Sequence, residues 1–214
     1  YMRLAKFISS LVYTRKQATE LIKDGKVTIN GNRAMQKDEK INENTDIICI
    51  SGKVCEYKKN IYIMLNKPSG ILSATEDKNT PTVISLLPQH LQKLGLFPVG
   101  RLDKETMGLL ILTNDGDYCH RMISPKRNVK KVYKFELADP IDKNTTTLME
   151  DGVKLKDGYK TLPCQIELET NTTGYITIIE GKYHQIRRMF GAIGNKIIYL
   201  ERIKEGKIEL DKNL

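Results

Sequence analysis

The chain has 214 residues, 40% of them hydrophobic and 29% charged, with a formal net charge of +9 and a sequence pI near 9.3. A chain of that length buries a core without disulfides or metal, its composition excludes disorder, and it offers no run of 18 apolar residues for a membrane helix. The basic surplus points to a polyanion, nucleic acid before others, and residues 1–60, with 12 Lys/Arg against 7 Asp/Glu, hold more than half of it.

Leu4, Ile8, Leu11 and Val12 recur at helical spacing. Arg3 and Lys6 lie inside that pattern and no small-residue cleavage site follows, so no signal peptide is expected. Thr14 and Gln17 form a capping box that opens a second helix through Ala18, Leu21 and Ile22, and Gly25 stops it. Residues 27–29 alternate as a strand, Asn30-Gly31 is a tight-turn signal, and a strand over 46–50 closes a first domain, 1–50. Residues 51–60, with one Gly, three Lys and few apolar groups, predict an exposed linker. The second domain, 61–214, opens on a strand over 61–65. Further strands are expected at 109–113, 131–137, 165–170 and 175–180, and helices at 142–150 and 184–193. Irregular interleaving and apolar–polar alternation predict an α+β fold: a small N-terminal domain and a larger one with a mixed, largely antiparallel sheet flanked by helices. The final residues, 211–214, carry no stop signal, which predicts a short further tail.

Cys49, Cys55, Cys119 and Cys164 show no CxxC spacing and no cluster with His90, His120 or His184. Four unpaired thiols, a cytoplasmic location and no metal site are the expectation. No helix offers a broad apolar face to a second copy, so a monomer is expected.

Arg3, Lys6, Arg15, Lys16, Lys23 and Lys26 fall on or beside the first two helices. Long cations on a rigid element suit phosphate contacts, although a solvated helix face has the same composition. Their order is informative. MRLAKFISS followed by TRKQATELIKDGKVTINGNRA resembles the S4 RNA-binding domain over about residues 3–50. The resemblance implies binding of structured RNA by shape and phosphate.

Residues 100–116 read GRLDKETMGLLILTNDG: a loop, a buried strand and an Asx-Gly turn. Asp103 stands in the loop near Arg101 and Lys104. A positioned carboxylate can act as a nucleophile, but a single loop aspartate is more often merely solvated. The stretch resembles the GRLDxxTxGLLxLTNDG signature of the RsuA/RluB/E/F family of RNA pseudouridine synthases. MLNKPSG at 64–70, KVYK at 131–134 and EGKYHQIRRMF at 180–190 match further family blocks in the family's order. One departure is Met107, where the family has a small Ser or Thr.

The resemblance implies an enzyme with no metal, nucleotide or redox cofactor. Asp103 would be the nucleophile, attacking ribose C1′ or uracil C6. Tyr133 would stack on the flipped uracil, and Arg187 would pair with Asp103. The residues alone are less decisive. Tyr133 shares a strand face with Phe135 and Leu137, as a core tyrosine would. Ile186, Met189, Phe190 and Ile193 form one apolar stripe, with Arg187 beside it and Arg188 nearly opposite, toward solvent or phosphate. Lys67, at a strand end, suits a substrate phosphate and a strand cap equally. The expected RNA-contacting set is Arg3, Lys6, Arg15, Lys16, Lys67, Arg101 and Arg188, with Arg101 supporting the loop more than doing chemistry. His184 reads as a hydrogen-bonding scaffold.

Within the family, the MLNKP strand, the EGKYHQIRRMFGAIGN block and the short length resemble the small-subunit enzymes most. That implies one uridine of 16S ribosomal RNA as substrate, free or in a partly assembled subunit. Two alternatives stay open. One is a 23S target. The other is a non-catalytic S4-type rRNA-binding assembly factor, which would not need Asp103, Tyr133 and Arg187 together.

Overall fold

A computed structural model describes residues 1–11, 13–57, 60–211 and 213–214. Val12, expected in the first helix, and Lys58 and Lys59 of the expected linker lie outside these residues. The chain forms two compact units, residues 1–61 with 87–96, and residues 62–86 with 97–214. Among the described residues, no helix is long and apolar enough to cross a membrane.

The first unit runs β1 (Met2–Arg3), α1 (Leu4–Leu11), α2 (Arg15–Lys23), β2 (Val27–Ile29), β3 (Asn32–Arg33), β4 (Lys40–Ile41), β5 (Ile48–Ile50) and β6 (Lys53–Cys55). Leu4, Phe7 and Ile8 of α1 meet Ala18 and Ile22 of α2 over Val27, Ile41 and Ile48, all buried. The capping box is formed: Gln17 N–H donates to Thr14 Oγ1 at 3.1 Å, and Thr14 N–H to Gln17 Oε1 at 2.8 Å. Strands pair in the order β3-β2-β5-β6. The structure corrects the linker at its start, because β6 pairs antiparallel with β5. Ser51 and Gly52 both take positive φ, 50° and 78°, the backbone of a two-residue hairpin turn. With one partner strand and exposed Lys53 and Val54, this edge strand has the composition of a linker. A short helix, α3 (Gln89–Gln92), groups with this unit.

The larger unit contains β7 (Tyr62–Lys67), β8 (Phe97–Pro98), β9 (Met107–Thr113), α4 (Gly116–Ile123), β10 (Lys131–Leu137), α5 (Lys143–Glu150), β11 (Gln165–Leu168), β12 (Thr173–Ile178), α6 (Gln185–Ala192), β13 (Ile197–Glu205) and β14 (Ile208–Glu209). The sheet order is β11-β12-β10-β13-β9-β7, with β14 on β13 and β8 on β9. Among the described residues, every strand pairing in this sheet is antiparallel except β13 with β9. The sheet is therefore mixed and mostly antiparallel, as its alternation implies. Phe190 of α6 packs on Phe135 of β10 with ring centroids 5.0 Å apart, and Ile186 and Met189 are buried beside it.

Several elements were not anticipated, among them α4 and β13. Asp115, read as part of a turn, accepts a hydrogen bond from Tyr118 N–H at 3.0 Å and caps α4. Strand β13 sits between β10 and β9 yet places Arg202 and Glu205 inward, so its alternation does not read as apolar–polar.

The parallel step explains one glycine of the 100–116 stretch. Gly108 stands opposite Arg202 with φ 98°, and a Cβ there would lie 2.3 Å from the Arg202 carbonyl oxygen. Both the conformation and the space require glycine. Gly108→Ala is expected to destabilise the fold by on the order of 3 kcal/mol, read as a lower urea midpoint. An unchanged midpoint would show that the seam can open at no cost.

Candidate active site

Residues 99–106 join β8 to β9 and carry Asp103. The loop is fastened by the segment that leaves β7. Lys67 is fully buried, and its ammonium donates to the carbonyls of Pro68 at 2.9 Å, Lys104 at 3.0 Å and Thr106 at 2.8 Å. Gly70 N–H donates to Lys104 O at 2.9 Å, and Ser69 Oγ to Glu105 Oε2 at 2.8 Å. Ser73 Oγ accepts from Leu102 N–H at 3.0 Å and donates to Leu102 O at 2.9 Å. The turn closes on itself, with Thr106 N–H on Asp103 O at 3.0 Å. Asp103 is thus held through its backbone while its side chain stays partly exposed.

That side chain lines a cleft with Leu102, Tyr133, Gln185, Ile186 and Leu200, and the exposed Arg101 lies at the same cleft. Tyr133 is both a core residue and a cleft residue. It is buried with Phe135 and Leu137 on one face of β10, and it also lines the cleft. Burial pushes its hydroxyl up from the usual tyrosine value, opposed by the Arg202 guanidinium. Arg202 pairs with Tyr133 in strand register. Fully buried, it donates from Nε to Leu109 O at 2.8 Å and holds Glu205 at 3.3 Å.

Three expectations are corrected. Arg187 does not pair with Asp103: it donates to the carbonyls of Ile197 and Glu105, each at 3.4 Å. The cation-forming side chain beside Asp103 is His184, whose Nε2 lies 3.7 Å from Asp103 Oδ1. Lys67 is not placed for a substrate phosphate, because three carbonyls consume its donors and no surface remains. Arg188 is not a free surface cation: half-buried, it pairs with Asp157 and donates to Tyr183 O at 3.3 Å. In the first unit Lys6, Arg15 and Lys16 are exposed on the two helices. Arg3 pairs with Asp38 at 3.4 Å.

Sequence reasoning did not single out Ser73, Gln185 or Arg202. Ser73 and Gln185 are ordinary polar residues until their partners are known. Arg202 did carry a signal, a charge at an inward phase of a strand.

Comparison with known proteins places this geometry. The family model of RNA pseudouridylate synthases matches residues 61–192, and the S4 domain model matches residues 2–47. The chain belongs to the RNA pseudouridine synthases and carries an N-terminal S4 domain. It is an isomerase, and its substrate is RNA.

Its relatives include an uncharacterised RNA pseudouridine synthase of Bacillus subtilis, 42% identical over 100% of this chain and 91% of the relative. The ribosomal small subunit pseudouridine synthase A of Vibrio cholerae is 40% identical over 100% and 92%. A crystal structure of a pseudouridylate synthase superposes with a TM-score of 0.69 at 37% identity, covering 100% of this chain and 93% of that one.

Burial lowers the Lys67 pKa to about 8, against the pull of Glu105 and Asp103. The unfolded chain keeps that proton up to about pH 10. Between these values the unfolded state binds more protons, so this group's contribution to stability rises with pH there and is constant below pH 8. The stability advantage of the wild type over Lys67→Met should widen from pH 8 to pH 10 in urea titrations. At pH 7 the variant takes the ammonium donor from three carbonyls, leaving Lys104 O with Gly70 N–H, and kcat should fall on the order of 10²-fold as the loop shifts. An unchanged kcat would show that the loop holds itself.

Proposed function

We propose that the chain converts one uridine of small-subunit ribosomal RNA to pseudouridine, with Asp103 as nucleophile. The observation that carries the site is the cleft in which the partly exposed Asp103 carboxylate and the Tyr133 ring meet. The ribosomal target is supported by relatives named as small-subunit enzymes at about 40% identity.

The reaction is a rearrangement and needs no net redox change. The target base is first extruded from its stack, and an aromatic wall offsets part of the lost stacking. Asp103 attacks the ribose C1′ or the uracil C6, and the C1′–N1 bond breaks. The uracil turns within the cleft, C5 bonds to C1′, and Asp103 leaves. The C5 proton departs, and N1 ends protonated, so atoms balance. Tyr133 supplies the ring against which the uracil turns. Its raised hydroxyl pKa keeps it neutral near pH 7, able to donate or accept one hydrogen bond. Arg187 acts as a positioning residue through the Glu105 carbonyl. The exposed Lys6, Arg15 and Lys16 of the S4 domain supply phosphate contacts, which carry affinity rather than chemistry.

The test is isomerisation of unmodified 16S and 23S transcripts, mapped by a pseudouridine-specific chemical stop, with Asp103→Asn beside the wild type. One new stop in 16S is expected, absent with the variant, whose RNA affinity stays within twofold. A stop only in 23S moves the target to the large subunit, and turnover by the variant overturns the nucleophile assignment.

A further inference from the structure

Tyr183 has no part in the chemistry above, and its side chain is 77% exposed. Its ring stacks on the His184 imidazole, with centroids 3.9 Å apart and planes 14° from parallel. The same imidazole lies beside Asp103, with Nε2 3.7 Å from Oδ1. Two flat rings therefore form a step from the candidate nucleophile to the surface.

This step is built into the backbone. In an extended chain neighbouring side chains point to opposite sides. His184 instead adopts the left-handed conformation, φ 47° and ψ 34°, which brings its ring beneath that of Tyr183. A histidine held there costs on the order of 1 kcal/mol. The surroundings over-determine the turn. Buried Glu180 accepts from Tyr159 Oη at 2.7 Å, Leu162 N–H at 2.8 Å and Gln185 Nε2 at 2.7 Å. Lys182 N–H donates to Gln185 Oε1 at 2.9 Å, and its ammonium lies 5.0 Å from the Tyr159 ring centroid. Arg188 holds the Tyr183 carbonyl at 3.3 Å. These contacts fasten the turn, and the ring itself is left open to solvent.

We infer that Tyr183 is a stacking platform for a nucleobase of the RNA substrate, one beside the uridine that enters the cleft. This rests on the reading of Asp103 as the reacting carboxylate. A preorganised ring binds a flat partner with little loss of side-chain entropy, and base–aromatic stacking tolerates any base. A base on the outer face would lie one ring spacing beyond Tyr183, within the reach of one or two nucleotides of single strand. The stack also shields His184, so an occupied platform fixes the imidazole at Asp103.

Two measurements on the full-length protein decide this. In the first, 16S and 23S transcripts carrying 4-thiouridine are irradiated with the protein, and crosslinked peptides are sequenced by mass spectrometry. An adduct on Tyr183 is expected. Adducts confined to other residues of the larger unit overturn the platform. The second measures affinity for the same transcripts across a salt series. Tyr183→Ala should bind about 5- to 100-fold more weakly with an unchanged salt slope, because stacking releases no counterions. Tyr183→Phe should stay within twofold of wild type, and both variants should keep the wild-type thermal midpoint. A Tyr183→Ala affinity within twofold, or a loss accompanied by a shallower slope, overturns the inference. Asp103→Asn, run in parallel, separates the two readings. Isomerisation by Asp103→Asn removes the nucleophile and leaves the platform standing on its own results, whereas an inactive Asp103→Asn beside an unaffected Tyr183→Ala removes the platform alone.

Discussion

One buried lysine organises the larger unit. The Lys67 ammonium lies at the end of β7 with no access to water, and the carbonyls of Pro68, Lys104 and Thr106 converge on it. Two of those carbonyls belong to the tight loop before β9 and the third to the segment that leaves β7, and unpaired carbonyls are costly to bury. A lysine delivers three donors from one point, which no apolar side chain could replace. It joins two segments far apart in sequence, and Asp103 directly precedes Lys104, whose carbonyl it holds. The depressed pKa of Lys67 records what that burial costs.

The second constraint is the parallel seam between β13 and β9. It sets Gly108, five residues after Asp103, against the Arg202 backbone, and it directs the Arg202 side chain under Tyr133. A buried arginine is expensive unless fully engaged. Here its partners are Leu109 O and Glu205. Arg202 thereby ties the strand that leaves the Asp103 loop to the strand that carries Tyr133. Lys67 holds the loop that carries Asp103, and Arg202 stands in register beside Tyr133, so the two groups proposed to act on the uridine sit on separately anchored elements.

Much of this was legible in the residues, for identifiable reasons. The capping box at Thr14 and Gln17 and the Asn30-Gly31 turn are local devices whose geometry follows from two or three residues. The sheet class followed from alternation. What stayed hidden was tertiary. Lys67 looks the same in sequence whether it meets a phosphate or three carbonyls, and only the return of the chain at Lys104 decides between them. Arg187 occupies the helix phase expected of it, but it donates to the carbonyls of Glu105 in the loop and Ile197 at the start of β13, and His184 lies beside the Asp103 carboxylate. Strand β13 was obscured by the two charges it buries, and β6 by the polar residues of an edge strand.

The account turns on a loop that is set before RNA arrives, and amide hydrogen exchange in the free protein measures that directly. The amides of Gly70, Leu102 and Thr106 donate to Lys104 O, Ser73 Oγ and Asp103 O, and should exchange as slowly as the amides of neighbouring β9. Exchange of all three at the rate of an unprotected surface loop would mean that Asp103 is not held in place, and would contradict the account.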